Sequence, residues 1–149
     1  MANIRTLRLT AADAGIARQL FQLMTRVFDE PSEPLSDGYL QRLLSRPDYW
    51  TMAAFMDDEL VGGLTAYTLP MTRQESSELF IYDIAVRSDR QRKGVGRQLI
   101  STLRAAAEVE GIEEIFVPAD NEDAHALKFY RSLGGEPAAV TFFAFRPGT

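Results

Sequence analysis

The sequence predicts an α/β protein built on one mixed sheet. Three stretches carry that prediction. Residues 50–56 and 60–69 are apolar runs joined by the acidic turn Asp57-Asp58-Glu59, which reads as an antiparallel hairpin. The run ELFIYDIAV at 78–86 is followed by helical spacing in Val95, Leu99, Ile100 and Leu103, and then by a strand at 112–119. That βαβ crossover makes its two strands parallel. A hairpin and a crossover within 149 residues fit one domain, 1–149, around one core.

The remaining elements follow in order. Ile4, Leu7 and Leu9 mark a short first strand. Thr10 is a candidate N-cap, and Asp13 favours the first-turn dipole. Ile16, Leu20, Leu23 and Val27 recur at helical spacing over 11–28. A loop at 29–38 holds two prolines and the acids Asp29, Glu30, Glu33 and Asp37. A second helix carries Tyr39, Leu40, Leu43 and Leu44 and stops before Pro47. Gly62-Gly63 inside a strand implies a bulge or a close backbone approach. Helix 94–110 ends at Gly111, pairing of the next strand should fail near Pro118, and helix 123–133 ends at Gly134-Gly135. The Val- and Phe-rich residues 138–146 are expected to make a final strand.

Sixteen basic and twenty-one acidic residues leave a net charge of −5. Arg87, Arg90, Arg92, Lys93 and Arg97 against Asp89 make an island of +4, so the rest sums to −9. A single basic island suits one polyanionic ligand, with a cationic partner elsewhere, unless it is a solvated helix entry. The acidic balance argues against nucleic acid. No cysteine is present, so disulfides, thiolate metal sites and a cysteinyl acyl-enzyme are excluded. No apolar run approaches the roughly 18 residues of a membrane-spanning helix, and the start lacks an apolar signal core. A cytoplasmic protein without membrane contact is expected.

Gln91, Arg92, Lys93, Gly94, Val95 and Gly96 form a glycine-containing loop that opens a helix. A phosphate can meet backbone amides there, on the positive end of the helix. A Walker loop needs Lys-Ser/Thr after its last glycine, and Arg97-Gln98 stand there. A dinucleotide fingerprint needs a third glycine where Leu99 stands. What remains, Gln/Arg-x-x-Gly-x-Gly after a strand, resembles the acetyl-coenzyme A loop of the GNAT superfamily of N-acetyltransferases.

The resemblance implies the GNAT acyl-CoA N-acyltransferase fold: a central mixed sheet with helices on both faces. Its central strand and the next splay apart at their C-terminal ends, and the pantetheine arm lies between them. It implies acetyl-CoA as cosubstrate, held by the backbone of Ile84, Ala85 and Val86 and by the loop from Gln91 to Arg97. Ala126-x-x-x-Tyr130-x-x-x-Gly134 resembles the second GNAT motif, in which this tyrosine lies near the coenzyme A sulfur. Tyr130 is then the candidate acid, or else a half-buried aromatic of an amphipathic helix. Asp123 stands where the family has Asn. The family often ends in a strand hairpin, whereas this chain has room for one strand, so a homodimer that completes the edge is expected.

Asp83 lies inside an apolar run, where a carboxylate is costly unless it is paired or used. Burial would raise its pKa and make it a general base, or it caps nearby amides. Glu78 is the weaker alternative, acting through water. His125, the one histidine, has no Gly-x-Ser-x-Gly elbow to serve and reads as solvent-facing, and no metal site is expected. Asp29 and Glu30, with Asp120, Glu122 and Asp123, are candidates for an acidic pocket that holds a polycation, or they simply face water. IRTLRL, AAFMDDELVGGLTAYTLP, IYDIAV and FVPADNEDAHALKFYRSLG together resemble the GNAT-type aminoglycoside 3-N-acetyltransferases. That resemblance implies acetylation of the 3-amino group of a 2-deoxystreptamine aminoglycoside. The alternatives are acetylation of a polyamine or a protein lysine, and a non-catalytic acyl-CoA-binding module.

Overall fold

The computed structural model describes residues 3–148. The chain divides into a first compact unit ending at Pro118 and a second beginning at Ala119.

The first unit holds β1 (Ile4–Arg8), α1 (Ala14–Phe28), α2 (Asp37–Leu44), β2 (Tyr49–Met56), β3 (Glu59–Pro70), β4 (Ser77–Val86), α3 (Val95–Val109) and β5 (Ile112–Phe116). The strands form one sheet in the order β1-β2-β3-β4-β5. The first three pairings are antiparallel and β4–β5 is parallel, so the expected mixed sheet is present.

Local chemistry accounts for the joints. Thr10 N–H donates to Asp13 Oδ2 at 2.8 Å, and the Thr10 hydroxyl accepts from Ala12 N–H at 3.3 Å, opening a short 3-10 turn before α1. Ser36 caps α2 by accepting from Tyr39 N–H at 3.1 Å. Asp57 and Asp58 sit at φ 51° and 66°, the left-handed pair that a two-residue hairpin turn needs. Gly111, at φ 74°, lets the chain leave α3 and enter β5 directly.

The cross-strand register sorts the side chains between two faces. Thr6, opposite Ala54, reaches Thr102 of α3, with 3.2 Å between hydroxyls. Leu20 of α1 packs with Ala53 and Ala85 on the other face. The two long helices therefore cover opposite faces of the sheet. Gly62 and Gly63 do make the close approach. A Cβ on Gly63 would stand 2.5 Å from the Met52 carbonyl oxygen and 2.6 Å from the Leu20 methyls, and one on Gly62 would stand 2.5 Å from the Ala85 oxygen. Val61 is the extra residue of a bulge here, since Gly62 faces Ala54 and Leu60 faces Phe55.

In the second unit, Asp123 caps α4 (Ala124–Ser132) by accepting from Ala126 N–H at 3.0 Å. The expected final strand at 138–146 is not formed. Val140, Phe142, Phe143 and Phe145 have strand propensity but lie 66–93% exposed. Propensity alone does not make a strand; a ladder partner does. Among the described residues, no helix is long and apolar enough to cross a membrane.

Gly63→Ala should lower the unfolding free energy by about 1–3 kcal/mol, because neither the Met52 carbonyl nor the packed Leu20 can withdraw freely. Urea denaturation measures this as a lower midpoint at unchanged slope. An unchanged midpoint would mean the strands are not in the contact described.

Candidate active site

A pocket of ≈ 320 Å³ opens on the α1 side of the sheet, lined among others by Phe21, Phe28, Glu30, Tyr49, Thr65, Tyr67, Tyr82 and Asp83. One irregularity of β4 puts Asp83 there. Thr65 pairs with Asp83, and the next residue, Ala66, pairs with Ile81, which leaves Tyr82 as the extra residue of a bulge. Without it, strict alternation would turn Asp83 to the face of buried Leu79 and Ile81. With it, Tyr82 and Asp83 both reach the pocket.

Aromatic rings form the rest of this wall. Tyr49 and Tyr67 lie 5.1 Å apart between ring centres, and Tyr67 and Tyr82 lie 6.1 Å apart, tilted edge to face. Burial pushes the Tyr49 and Tyr67 phenols above their ordinary value. Burial also raises the Asp83 carboxyl, the nearby negative charge of Glu30 adds to the rise, and the Thr65 hydroxyl opposes it. Glu30 is carried in by the loop after α1. That loop leaves the helix through Asp29, at φ 51°, and is tied down by Arg18, which donates to the Leu35 carbonyl at 2.7 Å and pairs with Asp37.

A cleft opens on the other edge of β4. Its pairing with β5 ends at Phe80–Phe116, whose rings stack 5.1 Å apart, while β4 runs on to Val86. Ile84, Ala85 and Val86 therefore have no β5 partner. Pro118 lies just past the end of β5, where the sequence placed the separation. Gln91 closes the turn after β4 by donating to the Val86 carbonyl at 3.1 Å. Gly94, at φ 90°, is the N-cap of α3 and provides no side-chain acceptor, so the first amides of the helix stay available. Arg92, at φ 63°, Lys93 and Arg97 are exposed around them. Strand edge, amides and bases fit a pantetheine arm and its phosphates. The basic island is smaller than its count suggests. Arg87 pairs with Glu59 at 2.6 Å and Asp89 at 2.9 Å, and Arg90 reaches Asp89 at 3.2 Å and Glu59 at 3.6 Å.

A profile of the Acetyltransferase (GNAT) family matches residues 16–134. The chain belongs to this family. An uncharacterized N-acetyltransferase of Bacillus subtilis (strain 168), YvbK, is 32% identical over 122 residues, covering 82% of this chain and 70% of the relative. Among solved structures, the aminoglycoside acetyltransferase meta-AAC0020 from an uncultured soil metagenomic sample, in complex with sisomicin, superposes with a TM-score of 0.90 at 33% identity, over 96% of each chain. HMB0005, an aminoglycoside acetyltransferase also from an uncultured soil metagenomic sample, superposes with a TM-score of 0.90 at 29% identity, over 97% of this chain and 99% of that one.

In this GNAT acetyltransferase, the structure brings Asp83 and Glu30 into one pocket of the first unit, whose lining includes neither Asp29 nor Glu78. Asp29 shapes the exit from α1 and does not line the pocket. Glu78 lies near the opposite end of β4, beside Glu114 of β5, about 16 Å along the strand from Asp83. In the second unit, Asp120 accepts from Glu122 N–H at 2.9 Å, Asp123 caps α4, and His125 is exposed on that helix. Burial and the charge of Asp123 push the Tyr130 phenol up to about 12, so it keeps its proton at neutral pH. The pocket tyrosines Tyr49, Tyr67 and Tyr82, and Thr65 with them, went unnoticed in the sequence. A signal existed: in ELFIYDIAV the charge falls on the same parity as Leu79 and Ile81, which only a bulge reconciles.

Because the folded pKa of Asp83 is raised, the native state holds its proton more tightly than the unfolded chain does. The Asp83 contribution to stability is full below the ordinary Asp value and is lost as pH rises through the folded value. Asp83→Asn should therefore be more stable than the parent at neutral pH, with the gain fading as pH falls through the carboxylate range. Thermal unfolding from acid to neutral pH measures the difference. A constant difference across pH would contradict the raised value.

Proposed function

We propose that this acetyltransferase moves the acetyl group of acetyl-coenzyme A to the 3-amino group of a 2-deoxystreptamine aminoglycoside, by direct transfer in a ternary complex. The observation that carries the reading is a partly buried carboxylate, Asp83, set among tyrosine rings with Glu30 at the rim of one small pocket. Aromatic faces and carboxylates both attract ammonium groups. A volume of ≈ 320 Å³ is at the low end for ligand pockets and suits part of a small polycation better than a polypeptide. Likeness to aminoglycoside acetyltransferases along 96% of the chain supports the same acceptor.

Acetyl-coenzyme A supplies the activated acyl group. In this reading Gly94, Val95, Gly96 and Arg97 offer their amides to its phosphates, with Arg92 and Lys93 beside them and Gln91 holding the turn. Ile84, Ala85 and Val86 align its arm along the free edge of β4. Asp83 takes the proton from the attacking amine, which its raised pKa favours. Tyr130 donates a proton to the departing thiolate, and its phenol is protonated at neutral pH. Glu30 binds a further ammonium, with Asp29, Asp120, Glu122 and Asp123 as the remaining acidic candidates and Glu78 as the reserve base acting through water. Acetylation neutralises one ammonium of a polycation, the change by which the chain would confer antibiotic resistance. We place the activity in the cytoplasm, with residues 1–149 as one catalytic domain and the exposed segment at 138–146 serving a homodimer.

Thiol release from acetyl-coenzyme A should follow addition of sisomicin or gentamicin, with spermidine and a lysine peptide much poorer. Asp83→Asn should lose about 10²–10⁴-fold in rate, and Tyr130→Phe should lose less. Turnover with spermidine alone would move the acceptor to polyamines. No turnover with any amine, together with tight coenzyme A binding, would leave a non-catalytic module.

A further inference from the structure

We propose that Thr65 is a positioning residue for acetyl transfer: facing Asp83 across the β4 bulge, its hydroxyl aims the carboxylate into the pocket. The inference rests on Asp83 as the base.

Three side chains lie in a row across the sheet. Thr51 of β2 pairs with Thr65 of β3, and Thr65 pairs with Asp83 of β4. The two threonines are the buried polar residues of the described chain, 1% and 6% exposed. Valine would fill either position without burying a hydroxyl, so a hydroxyl there calls for a use. The two differ in what they face: Thr65 lines the pocket and Thr51 does not. Thr51 Oγ1 has no hydrogen-bond partner; the Tyr49 phenol lies near it but outside hydrogen-bonding geometry. Thr65 lines the pocket as the direct cross-strand neighbour of Asp83, close enough for its hydroxyl to favour the ionised carboxyl but without a direct hydrogen bond to it.

The bulge gives this pairing its role. At Tyr82 the ladder is interrupted, and the regular pleat no longer dictates the direction of the next side chain. Thr65 is the partner at the first regular pair past the interruption. A β-branched side chain holds few χ1 states, so its hydroxyl is a firm reference point. The other titratable groups of the pocket are Glu30 from the loop after α1, Tyr49 from β2, Tyr67 from β3 and Tyr82 from β4. Glu30 raises the Asp83 carboxyl, and of these surroundings the Thr65 hydroxyl is the group that lowers it.

The test is the pH profile of kcat/KM for sisomicin acetylation in Thr65→Val, Thr65→Ser, Thr51→Val and Asp83→Asn. Without the hydroxyl the ionised carboxylate loses support, so the acid limb of Thr65→Val should move to higher pH. Its plateau kcat should fall about tenfold, a partial loss of the general-base contribution. Thr65→Ser should restore both, and Thr51→Val should leave the limb in place. If Thr65→Val is insoluble, Thr65→Ala is read the same way. An unmoved limb in the Thr65 variant, with the limb abolished in Asp83→Asn, would overturn this proposal alone. A limb that persists in Asp83→Asn would overturn it together with the base assignment.

Discussion

One extra residue in β4 sets the direction of everything downstream of it. Tyr82 interrupts a ladder that is otherwise regular, and the parity of the strand changes behind it. Before the interruption, Leu79 and Ile81 are buried on one face; after it, Asp83 and Ala85 face α1. A charged residue that would have been driven into an apolar layer instead opens onto a pocket. Bulges bend and twist the strand that carries them. Here the bulge follows directly on Phe80 and Ile81, where the parallel pairing with β5 gives out. Pocket on one side and cleft on the other thus begin at the same point of one strand.

The energetics favour chemistry over stability at that point. A half-buried carboxylate with a raised pKa and a negative neighbour is a liability for folding, since its ionised form is disfavoured at neutral pH. The close-packed glycines beside it work the other way. Gly62 and Gly63 let β2, β3 and β4 approach within distances no Cβ would allow, and buried Leu20 seals the face next to the pocket. A rigid three-strand platform can hold a costly buried carboxylate in place that an isolated loop could not. The same division holds at α3. Arg87 and Arg90 are tied to Glu59 and Asp89 and brace the turn, which leaves Arg92, Lys93 and Arg97 free of that duty.

Much of this was legible in the sequence. The hairpin turn, the crossover, Thr10, Gly111, and Pro118 as the limit of β5 are local signals, each decided by a few neighbouring residues. Asp83 stood out because a charge in an apolar run demands an explanation. The pocket was not legible, because Tyr49, Thr65 and Tyr67 meet Asp83 only through strand register. The local duties of the acids were not legible either: Asp29, Asp120 and Asp123 look alike in composition, but they also serve a helix exit, a turn and a cap. Residues 138–146 were read as a strand because propensity is visible in a sequence and a ladder partner is not.

The most direct measurement is the structure of the protein bound to coenzyme A and sisomicin together. The acceptor amine should lie within about 3 Å of the Asp83 carboxylate, or one water away, with the thiol in the cleft beside Ile84 and Ala85. An acceptor bound away from the tyrosine-lined pocket, with Asp83 out of reach of every amine, would contradict the central role given to the β4 bulge.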